Sequence, residues 1–217
     1  KSFGPWRDIA VRLTGPIALQ LERVFDDDWY FATNEPIDLP NSIFQVDDKQ
    51  SGHRALVIAD GPDMPEKPLE LSAITMLHFA RRRAWFTAGF FVPCETLLTA
   101  IKLCAERGVD VRLLVSNWED RRFLVQIGRS YYEELLHFGV RIFEYEGGVN
   151  HAKVSVFDDD WAMIGSANFD IRSLRLNFEL DVALQSPEIN EELSETLESD
   201  FAKSKEIDLE EFKRRPF

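Results

Sequence analysis

The chain has 217 residues and a formal net charge of −13, enough length for one large domain or one domain plus part of another. Hydrophobic residues make up 45% and include 17 Phe and 5 Trp, which can fill a core and exclude a disordered chain. The acidic balance argues against a nucleic-acid binder, whose affinity comes largely from Lys and Arg on phosphates. No apolar run reaches the roughly 18 residues a membrane helix needs, so a soluble chain is expected.

No signal peptide or lipidation motif is seen. The opening, KSFGPWRD, lacks Met and reads as a piece of something longer. Residues 9–13 (IAVRL) read as a short strand. Gly15-Pro16 then opens an amphipathic helix with Ile17, Leu21 and Phe25 on one side, ending near DDDWYFATNE. From about 34 to 54 the composition turns polar and Pro-bearing without a period, the best boundary in the chain. Residues 1–50 are therefore assigned to the tail of a preceding lobe plus a linker, and 51–217 to a second, catalytic lobe.

Beyond the linker the pattern becomes regular. Strands are expected at 55–60, 84–91, 109–115 and 140–145, with helices at 68–83, 95–107 and roughly 119–137. Strands alternating with helices predict an α/β fold, a mixed and largely parallel sheet flanked by helices on both faces. The order then changes. HAKVSVF and WAMIGS are strands separated only by Asp158-Asp159-Asp160, a hairpin spacing. LNFELDVAL (176–184) alternates as a strand, a Glu-rich helix covers about 187–204, and the closing DLEEFKRRPF looks helical.

The chemistry concentrates between His151 and Glu179. In a strand, residues two apart share a face, so His151 and Lys153 point the same way, as do Ser166 and Asn168 if the strand reaches them. An imidazole, an ammonium, a hydroxyl and an amide suit a tetrahedral anion: Lys153 supplies point charge while Ser166 and Asn168 donate neutral hydrogen bonds. His151 can attack phosphorus or shuttle a proton near neutral pH. A carboxylate such as Glu179 would fix its tautomer. By its position at the hairpin, Asp158 reads as orienting backbone. For Ser166 a phosphate contact and a plain turn role stand equal, and Asn177 and Asp181 read equally as site groups or as solvated strand residues. His53, His78 and His137 read as surface or helix-end histidines, Arg81-Arg82-Arg83 as a solvated helix end, and Arg121-Arg122 as a solvated helix end or a contact for anionic lipid. Cys94 and Cys104 have no metal spacing and read as reduced thiols in a cytosolic setting.

At average residue frequencies His-x-Lys-x4-Asp alone would arise in on the order of one chain in a hundred, and Gly-Ser-x-Asn at its offset lowers that by about three orders of magnitude. The combined pattern, His151-x-Lys153-x4-Asp158-x6-Gly165-Ser166-x-Asn168, resembles the signature of the phospholipase D superfamily. The flanking text, including GFFVPCETLLTAIKLCAERGVDVRLLV and GSANFDIRSLRLNFEL, is similar to the second half of bacterial cardiolipin synthases. One departure is Ala88-Gly89-Phe90, where a Thr-Pro-Tyr type of sequence is expected.

The resemblance implies a phospholipase D-like lobe with His151, Lys153 and Asp158 as its catalytic set, and no metal or cofactor. It implies transfer of a phosphatidyl group between phosphatidylglycerol molecules through a phosphohistidine, with His151 as general acid and then base. Members build one site from two such signatures. The expected partners are therefore anionic phospholipid and a missing N-terminal lobe or second chain, at the cytoplasmic face of a bacterial inner membrane through upstream segments. Alternatives are a phosphodiesterase or nuclease with water as acceptor, a phosphatidylserine synthase-like transferase, and a silent or homodimeric binding module.

Overall fold

The computed structural model describes residues 4–37, 52–117 and 122–215. The strand expected at 9–13 does not form. The first strand is β1 (Trp6–Arg7), which pairs in parallel with β7 (Val149–Asn150). Ile9 and Leu13 instead pack as side chains on the apolar cluster under one face of the main sheet. Helix α1 (Ile17–Thr33) follows and is closed by Asn34 in the left-handed region at φ 57°, with its N–H on the Tyr30 carbonyl. Among its residues only Ile17 is buried. Most of the linker assigned from sequence lies outside the described residues.

Strand β2 (Arg54–Asp60) leads to α2 (Pro68–Phe79), which ends earlier than the periodicity suggests. The Asp158 carboxylate takes the backbone N–H groups of Arg81, Arg82 and Arg83, at 3.0, 2.8 and 3.3 Å, so the chain leaves the helix there and enters β3 (Arg83–Ala88). The single strand expected over 84–91 breaks at Gly89. Beyond it β4 (Phe91–Val92) pairs in parallel with β10 (Phe169–Asp170) in a separate ladder. Next come α3 (Glu95–Glu106) and β5 (Asp110–Ser116). The long helix expected before the next strand is two, α4 (Arg122–Arg129) and α5 (Tyr132–His137). Between them the Ser130 hydroxyl donates to the Ile127 carbonyl at 2.6 Å, a side-chain bond that competes with helical pairing.

Strands β6 (Arg141–Tyr145), β8 (Val154–Phe157), β9 (Trp161–Gly165), β11 (Glu179–Gln185) and β12 (Ser204–Glu206) complete the main sheet, whose order is β12-β6-β5-β3-β8-β9-β11-β2. Helix α6 (Ile171–Arg175) precedes β11, α7 (Pro187–Phe201) follows it, and α8 (Leu209–Lys213) closes the described chain. The α/β architecture with a mixed sheet is as expected. Parallel neighbours are confined to β3–β5 and β5–β6, and the other adjacent pairs are antiparallel. The helix-linked strands β2, β3, β5 and β6 do run one way. The β8–β9 hairpin and β11 are inserted between β2 and β3, which makes the centre of the sheet antiparallel.

Strand alternation splits the core into two layers. Ala84, Phe86, Leu113 and Ile142 face α2, α3 and α5 through Leu77, Leu97, Ile101 and Leu135. Trp85, Leu114, Phe143 and Val156 face α7 through Leu193, Leu197 and Phe201. Helices therefore cover both faces. The carboxyl end of β3 and the short segments 150–153 and 166–168 that flank β8 and β9 carry the polar groups.

Candidate active site

His151 follows β7 directly. Its backbone N–H donates to the Arg7 carbonyl at 2.8 Å, continuing the β1–β7 pairing. That pairing brings Trp6 edge-on to the imidazole, with ring centroids 5.1 Å apart. It also brings Asp8 Oδ2 to 2.9 Å from His151 Nδ1. A carboxylate only accepts, so Nδ1 carries the proton and Nε2 of the neutral ring keeps its lone pair. The orienting role expected of Glu179 therefore falls to Asp8. Both Glu179 oxygens are engaged elsewhere: Oε1 accepts from Asn177 Nδ2 at 3.0 Å and Oε2 accepts from the Ser166 hydroxyl.

Lys153 is half-buried, and its Nζ donates to the His151 carbonyl. Burial draws its pKa below the ordinary value, against the opposing pull of Asp8, Glu179, Asp170 and Asp181. Asn168 lines a small cavity together with Lys153 and Asp181. The Gly89 N–H donates to Asn168 Oδ1 at 3.1 Å, which leaves the amide nitrogen as the donor. A Cβ on Gly89 would lie 3.4 Å from Asn168 Oδ1 and 3.9 Å from His151 Cα. Both residues thus border the break after β3, at the Ala88-Gly89-Phe90 departure noted from sequence.

Ser166 lies just past β9. Its hydroxyl donates to Glu179 and accepts from the Leu180 N–H at 2.9 Å, while its own N–H donates to the Leu180 carbonyl at 3.0 Å. Its single proton is thus committed to the turn. Gly165 faces Asp181 across the β9–β11 ladder. A Cβ there would sit 2.0 Å from Asp181 Oδ1 and 2.3 Å from the Leu180 carbonyl, so no other residue fits without displacing backbone.

Asp158 is not brought to the site. It holds φ 47° at the hairpin, and its carboxylate accepts from the backbone of Arg81, Arg82 and Arg83. Strand β8 separates it from Lys153, by about 16 Å of extended chain. Its acceptor capacity is spent on holding the α2–β3 junction.

Three features escaped the sequence reading. Asp8 and Trp6 reach His151 only through pairing of segments distant in sequence. Gly89 was noted without its bond to Asn168. Asp181 is 8% exposed rather than solvated. Its Oδ1 accepts from the Ala167 N–H at 3.1 Å, and burial pushes its pKa up to about 6. Beside the site lies an open cavity of about 610 Å³, lined by Tyr30, Phe31, Asp63, Ser166, Phe178 and Glu179 among others.

The family model described as "Cardiolipin synthase, PLD-like domain" matches residues 73–201. The chain is 38% identical, over its full length, to a cardiolipin synthase of Geobacillus kaustophilus. It spans 43% of that protein, less than half its length. Among solved structures, a phospholipase D family member, Nuc from Salmonella typhimurium, aligns with a TM-score of 0.62 at 18% identity, covering 72% of this chain and 99% of that one. Phosphatidylserine synthase of Haemophilus influenzae aligns with a TM-score of 0.63 at 13% identity, covering 92% of this chain and 48% of that one. These two likenesses concern the fold, a mixed α/β sheet with flanking helices. The family match over more than half of the chain shows its family: this chain belongs to the phospholipase D-like domain family of cardiolipin synthases.

Proposed function

We propose that this chain supplies one wall of the active site of a cardiolipin synthase-like phosphatidyltransferase, and that a second lobe or chain bearing another His-x-Lys signature supplies the other. The observation that carries the reading is the meeting of His151, Lys153 and Asn168 around the end of β3 in a chain 38% identical to a cardiolipin synthase. His151 presents Nε2, because Nδ1 is held by Asp8. Lys153 supplies charge and the Asn168 amide nitrogen a neutral donor for non-bridging phosphate oxygens, the kind of preorganised donors that stabilise charge developing on phosphorus.

In the proposed reaction a histidine of the second signature attacks phosphorus. The phosphorus–oxygen bond to the glycerol headgroup breaks, and the departing oxygen takes the Nε2 proton of a His151 imidazolium, which leaves the neutral ring with its Nδ1–H on Asp8. The terminal hydroxyl of a second phosphatidylglycerol then loses its proton to His151 and attacks phosphorus. The phosphorus–nitrogen bond breaks and its electron pair returns to the histidine. The products are cardiolipin and glycerol. We place the acceptor headgroup in the cavity beside Ser166, Phe178 and Glu179, whose aromatic walls and carboxylates suit a hydroxyl-bearing, uncharged group. Among the described residues no helix is long and apolar enough to cross a membrane.

Product analysis tests the reading. The paired protein supplied with labelled phosphatidylglycerol should yield cardiolipin and one equivalent of glycerol. Phosphatidic acid as the sole product would assign water as acceptor instead, and phosphatidylserine formed on adding serine would assign the acceptor to serine.

A further inference from the structure

Asp181 is a buried carboxylate that the proposed reaction leaves unused. It is 8% exposed in β11 and faces Gly165 across the ladder. Its Oδ1 accepts the Ala167 N–H at 3.1 Å, at the middle of the Ser166–Asn168 turn. With Lys153 and Asn168 it lines the small cavity behind the site. The side chain fills this space so closely that Gly165 has no room for a Cβ.

We infer that Asp181 is a positioning residue, which pins the Ser166–Asn168 turn through the Ala167 N–H and adds buried negative charge across the small cavity it shares with Lys153. Two considerations separate these jobs. Holding the Ala167 N–H requires only a carbonyl-type oxygen, which an amide of the same shape supplies. An ionised carboxylate at such a site is disfavoured by burial and is tolerated only beside a cation. The charged groups facing Asp181 are Glu179, which opposes its ionisation, and Lys153, which favours it. Reciprocally, Asp181 is one of four carboxylates that raise the Lys153 pKa against its burial. Asp181 thus joins Asp8, Glu179 and Asp170 in favouring the charged form of Lys153, while its Oδ1 holds the turn.

The inference rests on the phosphate-binding role of Lys153 only for the purpose of that charge. Its test needs no substrate, so a protein without phosphatidyltransferase activity would leave it standing. The test uses the 217-residue chain with carbon-13 lysine, the Lys153 resonance being assigned by its loss in Lys153→Arg. In Asp181→Asn the Lys153 pKa should fall by at least about half a unit, while protection of the Ala167 amide against hydrogen exchange is retained. In Asp181→Ala, with β5 amide protection as the control for folding, Ala167 protection should drop at least about fivefold. A Lys153 pKa unmoved or raised in Asp181→Asn overturns the counter-charge. Unchanged Ala167 protection in a folded Asp181→Ala overturns the pinning, and the Asn variant decides the charge even if the Ala variant fails to fold.

Discussion

Replacing Asp181 by Asn should make the protein more stable at neutral pH, and by an amount the structure sets. Burial raises the Asp181 carboxyl from its ordinary 3.8 to about 6. A raised folded-state pKa means that the native state binds the proton more tightly than the unfolded chain. Folding is then penalised by ionisation as pH rises from about 4 to about 6, and the full penalty persists above that. The rise corresponds to about 3 kcal/mol. Asn is nearly isosteric and keeps an acceptor for the Ala167 N–H, so it removes the penalty while leaving the turn held. Urea denaturation of the chain and of Asp181→Asn at pH 7.5 should show the variant more stable by roughly 2–3 kcal/mol, with the gap closing as pH falls from about 6 to about 4. Equal stability at pH 7.5, or a less stable variant, would refute the reasoning. A gain of this kind from a single isosteric change is what a residue retained for function leaves behind.

Other outcomes follow from the same geometry. Gly165→Ala places a methyl group 2.0 Å from Asp181 Oδ1 and should destabilise the chain by about 3 kcal/mol or more, read as a lower urea midpoint; an unchanged midpoint would contradict the close approach of β9 and β11. Asp158→Ala removes the shared acceptor of three backbone N–H groups and should lower stability by about 2–3 kcal/mol while the Lys153 resonances stay in place. Movement of Lys153 without loss of stability would return Asp158 to the site. In the paired protein, Asp8→Ala removes the group that orients His151 and should lower kcat at least about tenfold with KM little changed. A raised KM at constant kcat would assign Asp8 to substrate binding.

The pairing His151-x-Lys153 and the Gly165-Ser166-x-Asn168 turn were legible because their chemistry is local: a few residues at fixed spacing on neighbouring strands. The helix-linked strands β2, β3, β5 and β6 were legible from period and breakers for the same reason. What escaped depends on contacts between distant segments. Asp8 lies far from His151 in sequence and reaches it through two residues of β1 paired with β7, too short a match to leave a period. Glu179 and Asp181 lie two apart in β11 and so share a face, but alternation does not report which end of a strand is covered. The Ser166–Asn168 turn and α2 close over Asp181, and Glu179 remains at the rim. The parallel character was overestimated because sequence order shows that helices link the strands, not that the β8–β9 hairpin inserts between them.

The central claim is that this chain holds half of a site, completed by a second signature. The most direct measurement is transfer of labelled phosphatidyl groups by the chain alone, by the chain combined with the lobe carrying that second signature, and by the same combination with His151→Gln. The expected result is no transfer by the chain alone, activity on combination, and its loss by a factor of about 10² or more in the variant. Robust transfer by the chain alone, or activity of the combination indifferent to His151→Gln, would contradict the half-site.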